Sequence, residues 1–348
     1  MRNLFICLLL VSSCSGCDNK NVQVVEANLR FRRINTDKVP APRFDHSMIT
    51  DWNEGKIYLF GGRNGKEFFN DLWVLDVKKH KWSRIDSPSA PPARSGHSLV
   101  FDSNQKRLIL FGGFSHNKFG ESKYHRDMWI FSKAAGWSRE FFSEGPSRRA
   151  WHATTLMGDA MLIFGGFAGS PNYFLNDIWS VDLQSLEFKR IATDGGPKMH
   201  GRAALLAFEK DENLVVLGRD GLEKPTEVKR WSLQVKSDKW NTLPITKIVD
   251  VDFKNAFANR RELSFLVIKG PEDPDDDDWL IWTISYSSTG WIWTLDELES
   301  GPFPVQGMCC TPDPGNQRSW VCFGGVYRDK IGGETWVLTA CLGPECES

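Results

Sequence analysis

The 348-residue sequence predicts an all-β fold in which six four-stranded antiparallel sheets form one ring, with an N-terminal strand completing the last sheet. Two observations carry this expectation. The stretch 43–82 reads as short apolar runs divided by turn residues, and its landmarks occur six times along the chain. The aromatic residue that closes each unit also occurs once too early, ahead of the first unit, as a ring with a displaced seam requires.

In the first unit, Arg43 and His46 open an apolar run in an Arg-x-x-His arrangement. A second run ends in Phe60-Gly61-Gly62, a third carries Asn70-Asp71-Leu72-Trp73, and Trp82 closes a fourth. The runs are short, rich in β-branched and aromatic residues, and bounded by Gly, Asn and Asp, which is the pattern of strands in a meander. Such a sheet has two faces to bury, so the copies that follow decide the architecture.

Three landmark series give the same count. The third-run Trp recurs at Trp73, Trp129, Trp179, Trp231, Trp282 and Trp336. The second run ends at Gly61-Gly62, Gly112-Gly113 and Gly165-Gly166, degrades to Gly218-Arg219 and Lys269-Gly270, and returns as Gly324-Gly325. Closing aromatics fall at Phe31, Trp82, Trp137, Phe188, Trp240 and Trp293. Phe31 precedes His46 by 15 residues, as Trp82 precedes His97 and Trp137 precedes His152. Phe31 therefore marks a fourth strand with no first three before it, while the sixth unit, 305–339, has three strands and lacks a fourth. The N-terminal strand completes that sheet, pairing the edges otherwise exposed at the seam. The folded domain is expected over 22–341, with a tail at 342–348.

Charge is balanced, 43 basic against 44 acidic residues, which gives no electrostatic basis for binding nucleic acid or an anionic membrane surface. Fifteen Trp and 23 Phe supply a large core. Residues 1–17 have the form of a secretory signal: Arg2, an apolar run over 4–11 too short to span a bilayer, then small residues. Val11-Ser12-Ser13 before Cys14 resembles the lipobox of bacterial lipoproteins, with Cys17 as the alternative lipidation site. The expectation is an exported envelope lipoprotein touching membrane only through its anchor, or alternatively a periplasmic or secreted protein. Export permits disulfides. Side chains alternate along a strand, so either Cys309 or Cys310 faces Cys322, and Cys341 and Cys346 form a second candidate pair.

The motifs resemble the kelch family over nearly all of 22–341. The match is close in the first three units, with Arg43, Arg94 and Arg149, the paired Gly, and Asp71, Asp127 and Asp177 before the Trp. It weakens where Lys229 and Leu280 take the Asp position, and partly recovers at Glu334. The resemblance implies a six-bladed β-propeller around a central channel. Kelch propellers are commonly interaction domains, some exported members isomerise sialic acids, and one relative is a copper-radical oxidase. The oxidase needs a Tyr/His copper site and a Cys-modified Tyr, for which the five Tyr here give no matching motif.

Residues needed in several blades are construction parts. Paired Gly supply permissive backbone where a side chain would clash with the next blade. Trp bodies fill space between blades. The recurrent Arg and Asp join blades through Arg–Asp or Arg–carbonyl bonds, since buried charges need partners. His46, His97 and His152 occupy equivalent positions on different blades, too far apart for one metal ion. No metal and no cofactor is expected.

Function is expected on one side of the ring. In a meander the strand two–three and strand four–one connections share a side, and here they include the long segments 63–70, 114–126, 167–176, 220–227, 271–278 and 326–333. The acidic run 271–278 reads as a solvated tip rather than a calcium loop. The position before each repeated His varies from blade to blade: Asp45, Gly96, Trp151, Arg202 and Lys254. Asp45, Trp151, Arg202 and Lys254 are the candidate ligand-binding residues at the channel mouth, suited to an anionic group beside an apolar or sugar ring. The alternative is that these are unconstrained surface positions. No catalytic residue stands out of the repeat background. The sequence predicts a monomeric, non-catalytic envelope module that binds a protein or a glycan, with a sialic-acid isomerase as the alternative.

Overall fold

The computed structural model describes residues 23–26, 28–36, 38–169, 174–191, 196–197, 204–208, 213–219, 228–235, 239–243, 256–259, 264–269, 279–287, 290–298, 307–316, 318–327 and 330–341. Among them there is no α-helix, and no helix is long and apolar enough to cross a membrane. The segment carrying Cys14 and Cys17, and the positions Arg202, Lys254 and Cys346, lie outside the described residues, as does the acidic run 271–278.

Two strands, β1 (Gln23–Glu26) and β2 (Asn28–Ile34), precede the repeats. The first sheet is β3 (Ser47–Asp51), β4 (Lys56–Phe60), β5 (Leu72–Asp76) and β6 (Lys81–Ile85). The second is β7 (Ser98–Asp102), β8 (Arg107–Phe111), β11 (Met128–Ser132) and β12 (Gly136–Glu140), with a separate ribbon of β9 (Phe114–His116) and β10 (Ser122–Tyr124) between β8 and β11. The third is β13 (Ala153–Met157), β14 (Ala160–Phe167), β15 (Phe174–Asp182) and β16 (Phe188–Ile191). The fourth is β17 (Ala204–Phe208), β18 (Asn213–Arg219), β19 (Val228–Gln234) and β20 (Lys239–Leu243). The fifth contains β21 (Ala256–Asn259), β22 (Ser264–Lys269), β23 (Trp279–Ser287) and β24 (Gly290–Leu298). The sixth contains β25 (Cys309–Pro312), β26 (Ser319–Phe323) and β29 (Thr335–Cys341), with a short ribbon of β27 (Val326–Tyr327) and β28 (Lys330–Ile331).

The expectation of six alike sheets needs a correction. Five sheets are four-stranded; the fifth in chain order has five strands, because β1 adds to it in parallel beside β24. The cause is local. β24 is nine residues long and outermost in its meander, and β1 pairs with an edge that would otherwise stay open. Strand β2 pairs antiparallel with β29 from Asn28↔Cys341 to Ile34↔Thr335.

Register repeats with the landmarks. The third-strand Trp lies opposite Leu59, Leu110, Ile163, Val216, Val267 and Cys322 of the second strands. The closing aromatic lies opposite an apolar third-strand residue in each sheet, as in Leu75↔Trp82 and Phe131↔Trp137, and Leu338↔Phe31 continues that series.

First strands touch in the order β3, β7, β13, β17, β21, β25, and β25 touches β3. The core lies between consecutive sheets rather than within one. Leu59 and Leu75 of the first sheet pack with Ile34, Val321 and Phe323 of the sixth, and Phe60 and Leu72 pack with Leu99, Leu110 and Trp137 of the second. Similar clusters join the second to the third, the third to the fourth, and the fifth to the sixth. Within the sixth sheet, Cys310 is the residue bonded to Cys322, with S–S 2.01 Å and the two facing across β25 and β26; Cys309 is free. The Cys341–Cys346 pairing falls outside the described residues.

Candidate functional site

The side of the molecule that carries the long connections is built on three buried arginines. Arg43, Arg94 and Arg149 are fully buried. Each guanidinium grips its carboxylate with two bonds: 2.6 and 2.9 Å to Asp71, 2.6 and 3.0 Å to Asp127, 2.8 and 2.8 Å to Asp177. Each Nη1 also donates to the first Gly carbonyl, at Gly61, Gly112 and Gly165, and each Nε to the carbonyl two residues upstream. The Asp Oδ2 atoms accept the indole N–H of Trp73, Trp129 and Trp179. Burial pushes these carboxyls up, but the arginine bonds and charge and the indole donor outweigh it and hold all three below the ordinary range.

This geometry refines the expected role. The Arg–Asp pair lies within one sheet, so it braces the connections of its own sheet. The link between sheets is the arginine main chain. Gly62 N–H donates to Arg94 O at 2.9 Å and Gly113 N–H to Arg149 O at 2.8 Å, while Gly325 N–H of the sixth sheet donates to Arg43 O at 2.8 Å. The repeated His fills the same joints. His46, His97 and His152 stand edge-on to Phe323, Phe60 and Phe111 of the preceding sheet, with centroids 5.4–5.6 Å apart. Burial first, and the neighbouring arginine second, keep His46 and His152 neutral, with pKa lowered to about 3. The second Gly of the pair has no room for a side chain in the first three sheets, at Gly62, Gly113 and Gly166. A Cβ on Gly113, at φ 110°, would stand 2.9 Å from His97 Cβ and 3.0 Å from Ser95 O.

The residue before each His lies at the inner rim of this side. Asp45, Gly96 and Trp151 all adopt left-handed backbone, with φ 57°, 61° and 52°, as does Gly307 at the same place in the sixth sheet. Their main chains form a series of bonds from sheet to sheet: Asp45 N–H to Gly307 O at 2.7 Å, Gly96 N–H to Asp45 O at 2.8 Å, and Trp151 N–H to Gly96 O at 2.7 Å. A non-glycine residue in this region is strained, and the surrounding bonds hold it there. Asp45 and Trp151 are therefore not unconstrained surface positions.

The Asp45 side chain meets a third group that the sequence did not single out. Arg63, in the connection after β4, reaches Asp45 with Nη2 3.2 Å from Oδ2, and the Asp45 side chain is only 1% exposed. The guanidinium lies 4.7 Å from the Phe44 ring centroid and 5.9 Å from that of Phe114. From Phe114 the aromatic contacts run to Trp151 at 5.5 Å, Tyr124 at 5.3 Å and Phe68 at 5.7 Å, and from Trp151 to Phe167 at 6.3 Å. Most of these rings are half-buried, so the rim offers aromatic surface beside one buried carboxylate and one partly exposed guanidinium. That combination suits an apolar or sugar ring carrying a polar group. Of the four residues chosen from sequence, the structure brings Asp45 and Trp151 to this rim. Arg63 was missed because it has no counterpart in the other units. A second opening, a cleft of about 320 Å³ on the same side, is lined by Asp71, Leu72, Asp86, Ser87 and Trp137 among others.

Comparison with known proteins follows the same lines. The description "KLHDC2/KLHL20/DRC7 Kelch-repeats domain" fits residues 87–259, and "Attractin/LZTR1 beta-propeller" fits residues 18–119. The chain belongs to the kelch-repeat β-propeller family. Within that family it is similar to the leucine-zipper-like transcriptional regulator 1 of Homo sapiens, 30% identical over 226 residues that cover 62% of this chain and 26% of the relative. It is also similar to acyl-CoA-binding domain-containing protein 5 of Arabidopsis thaliana, 28% identical over 51% of this chain and 28% of the relative. This kelch chain thus spans only about a quarter of the length of these curated relatives. The solved structure of YjhT superposes with a TM-score of 0.60 at 16% identity, over 88% of this chain and 99% of that one, which shows the shared propeller fold.

Proposed function

We propose that this chain is a non-catalytic binding module of the cell envelope, a six-bladed propeller closed into one ring by β2, that holds a protein or glycan partner on its long-connection side. One observation carries the choice of side. Among the described residues the exposed large hydrophobics are Val39, Phe119 and Phe141, at 41%, 76% and 84% exposure, and all three lie in strand two–three or four–one connections. Exposed apolar side chains gathered on the variable connections of a rigid scaffold mark an interaction surface. Kelch propellers generally bind protein partners, which favours protein over glycan. Closure is supported by the β2–β29 pairing and by the contact of β25 with β3.

Envelope location rests on the sequence of residues 1–17, with Cys14 as the lipidated residue and Cys17 as the alternative. The site itself is the rim of Asp45, Arg63 and Trp151. The test is cross-linking of the intact protein to envelope proteins, together with glycan-array binding, for wild type and for the Arg63→Ala/Trp151→Ala double variant. Loss of the captured partners in the double variant supports the rim. Identical capture by both discards it, and capture of neither proteins nor glycans by wild type discards the binding module.

A further inference from the structure

From its exposed edge and its charge, we propose that the ribbon β9–β10 is a strand-addition site, taking an extended acidic protein segment against β10. The inference rests on the reading of the long-connection side as a protein-binding surface, and it names the element and the chemistry. β9–β10 is a two-stranded sheet of its own. The inner strand is covered, since Phe114 bridges to Ser95 of the adjoining segment. No strand covers the outer edge of β10 among the described residues. Lys123 pairs with Ser115, and Asn117 N–H donates to Glu121 O, so the alternation of an antiparallel ladder turns the main-chain groups of Ser122 and Tyr124 outward. Open edges of this kind accept an extended peptide through main-chain bonds, while neighbouring side chains choose its sequence.

The neighbours specify an acidic peptide with apolar side chains. Phe119 projects from the tip of the ribbon, and Lys118 Nζ stands 4.9 Å from its ring centroid. Phe141 projects from the connection after β12, with the Arg139 guanidinium 5.1 Å from its ring. The two segments meet at the base of the ribbon, where Arg126 donates to Ser143 O and stacks 5.2 Å from Phe142. Lys118, Lys123, Arg126 and Arg139 are all exposed, and no ion pair among the described residues engages any of them. Of the acidic residues beside them, Glu121 is bonded to Asn117 and Glu140 to Ser138. Cations left unpaired around two projecting rings complement carboxylates alternating with apolar side chains. A lipid surface would use the same Phe and Lys, but not the main-chain edge, and that difference separates the two.

The probe is a soluble N-acetylated decapeptide alternating Glu with Val and Leu, titrated by fluorescence anisotropy onto the full chain. Its controls are the same peptide with Lys for every Glu and one N-methylated at alternate residues. Wild type should prefer the acidic peptide over both controls by about tenfold or more. Phe119→Ser/Phe141→Ser and Ser122→Pro should each weaken acidic-peptide binding by about tenfold at unchanged melting temperature. The proline removes an outward N–H without touching the ladder. Absent binding, equal binding of the N-methylated peptide, or binding indifferent to Ser122→Pro overturns the proposal. Phe-dependent binding to phosphatidylcholine–phosphatidylserine vesicles without peptide binding overturns it in favour of a membrane. Partner capture that is lost in Arg63→Ala/Trp151→Ala but retained in Ser122→Pro overturns strand addition while leaving the broader protein-binding reading standing.

Discussion

Arg94 shows how a repeated residue does two jobs at once: its guanidinium is bound to Gly112 and Asp127 of its own sheet, and its carbonyl is held by Gly62 of the sheet before. Arg94→Met keeps the main-chain link and removes the charge, so it isolates the side-chain part. It should leave the mostly buried Asp127 carboxylate unpaired and cost about 3–5 kcal/mol in denaturant unfolding, since the carboxylate cannot be solvated in place. A cost near zero would mean that water replaces the guanidinium. The buried histidines set the pH behaviour. His46 and His152 are lowered from 6.5 to about 3 and His97 falls well below its ordinary value, in each case mainly by burial. Between those values the unfolded chain binds protons that the folded chain refuses, so stability is full above about pH 6.5 and falls as pH drops, by up to roughly 1 kcal/mol per pH unit per His. The lowered Asp71, Asp127 and Asp177 add loss in the same direction only below about pH 4. Melting temperature should therefore decline already between pH 6.5 and 5, and His97→Phe should flatten that part of the curve. These residues were legible in the sequence because they repeat. Arg63 and Phe119 do not repeat, so nothing distinguished them from ordinary loop residues. Asp45 was legible as a variable position, but its burial against Arg63 depends on a connection whose path the sequence did not give.

At the scale of elements, the paired glycines and the ribbon tips make opposite demands on the same residue type. Gly113 bonds to Arg149 O of the next sheet, and a Cβ on it would meet His97 and Ser95 of its own sheet at a φ of 110°. Gly120 turns the tip of β9–β10 at φ 81° with nothing within 4 Å of a Cβ. Gly113→Ala should cost roughly 2–5 kcal/mol, combining backbone strain with overpacking. Gly120→Ala carries strain alone and should cost about 1–3 kcal/mol, with the ribbon rather than the domain adjusting. Equal costs in urea denaturation would show that the Gly113 joint is looser than its contacts imply. The strand pattern was readable because each run is short and bounded by turn residues. Strand β1 was not, because four residues have no period to recognise, and its placement depends on an open edge at β24 far along the chain. The same limit hid the ribbon β9–β10 inside what read only as a long connection.

For the whole molecule the decisive element is β2, because its side chains belong to two junctions at once. Phe31 packs with the cluster shared by the fifth and sixth sheets, and Ile34 is buried with Leu59 and Phe323 where the sixth sheet meets the first. Removing residues 22–36 takes away the seven-residue pairing with β29 and leaves that strand as an open edge beside two exposed clusters. If the sheets form one closed ring, the loss cannot stay local, since each sheet is stabilised mainly by its two neighbours. The truncated chain should then melt in one transition at a markedly lower temperature, or aggregate through the open edge of β29. If instead the array is open, only the fifth sheet, which loses β1, and the sixth, which loses β2, should be destabilised, and calorimetry should show a small early transition followed by an unchanged main one. Adding a peptide of residues 22–36 to the truncated chain separates these cases further. In a closed ring the peptide fills a gap already shaped by four intact junctions, so it should raise the single melting temperature in proportion to the logarithm of its concentration. In an open array it should shift the early transition alone.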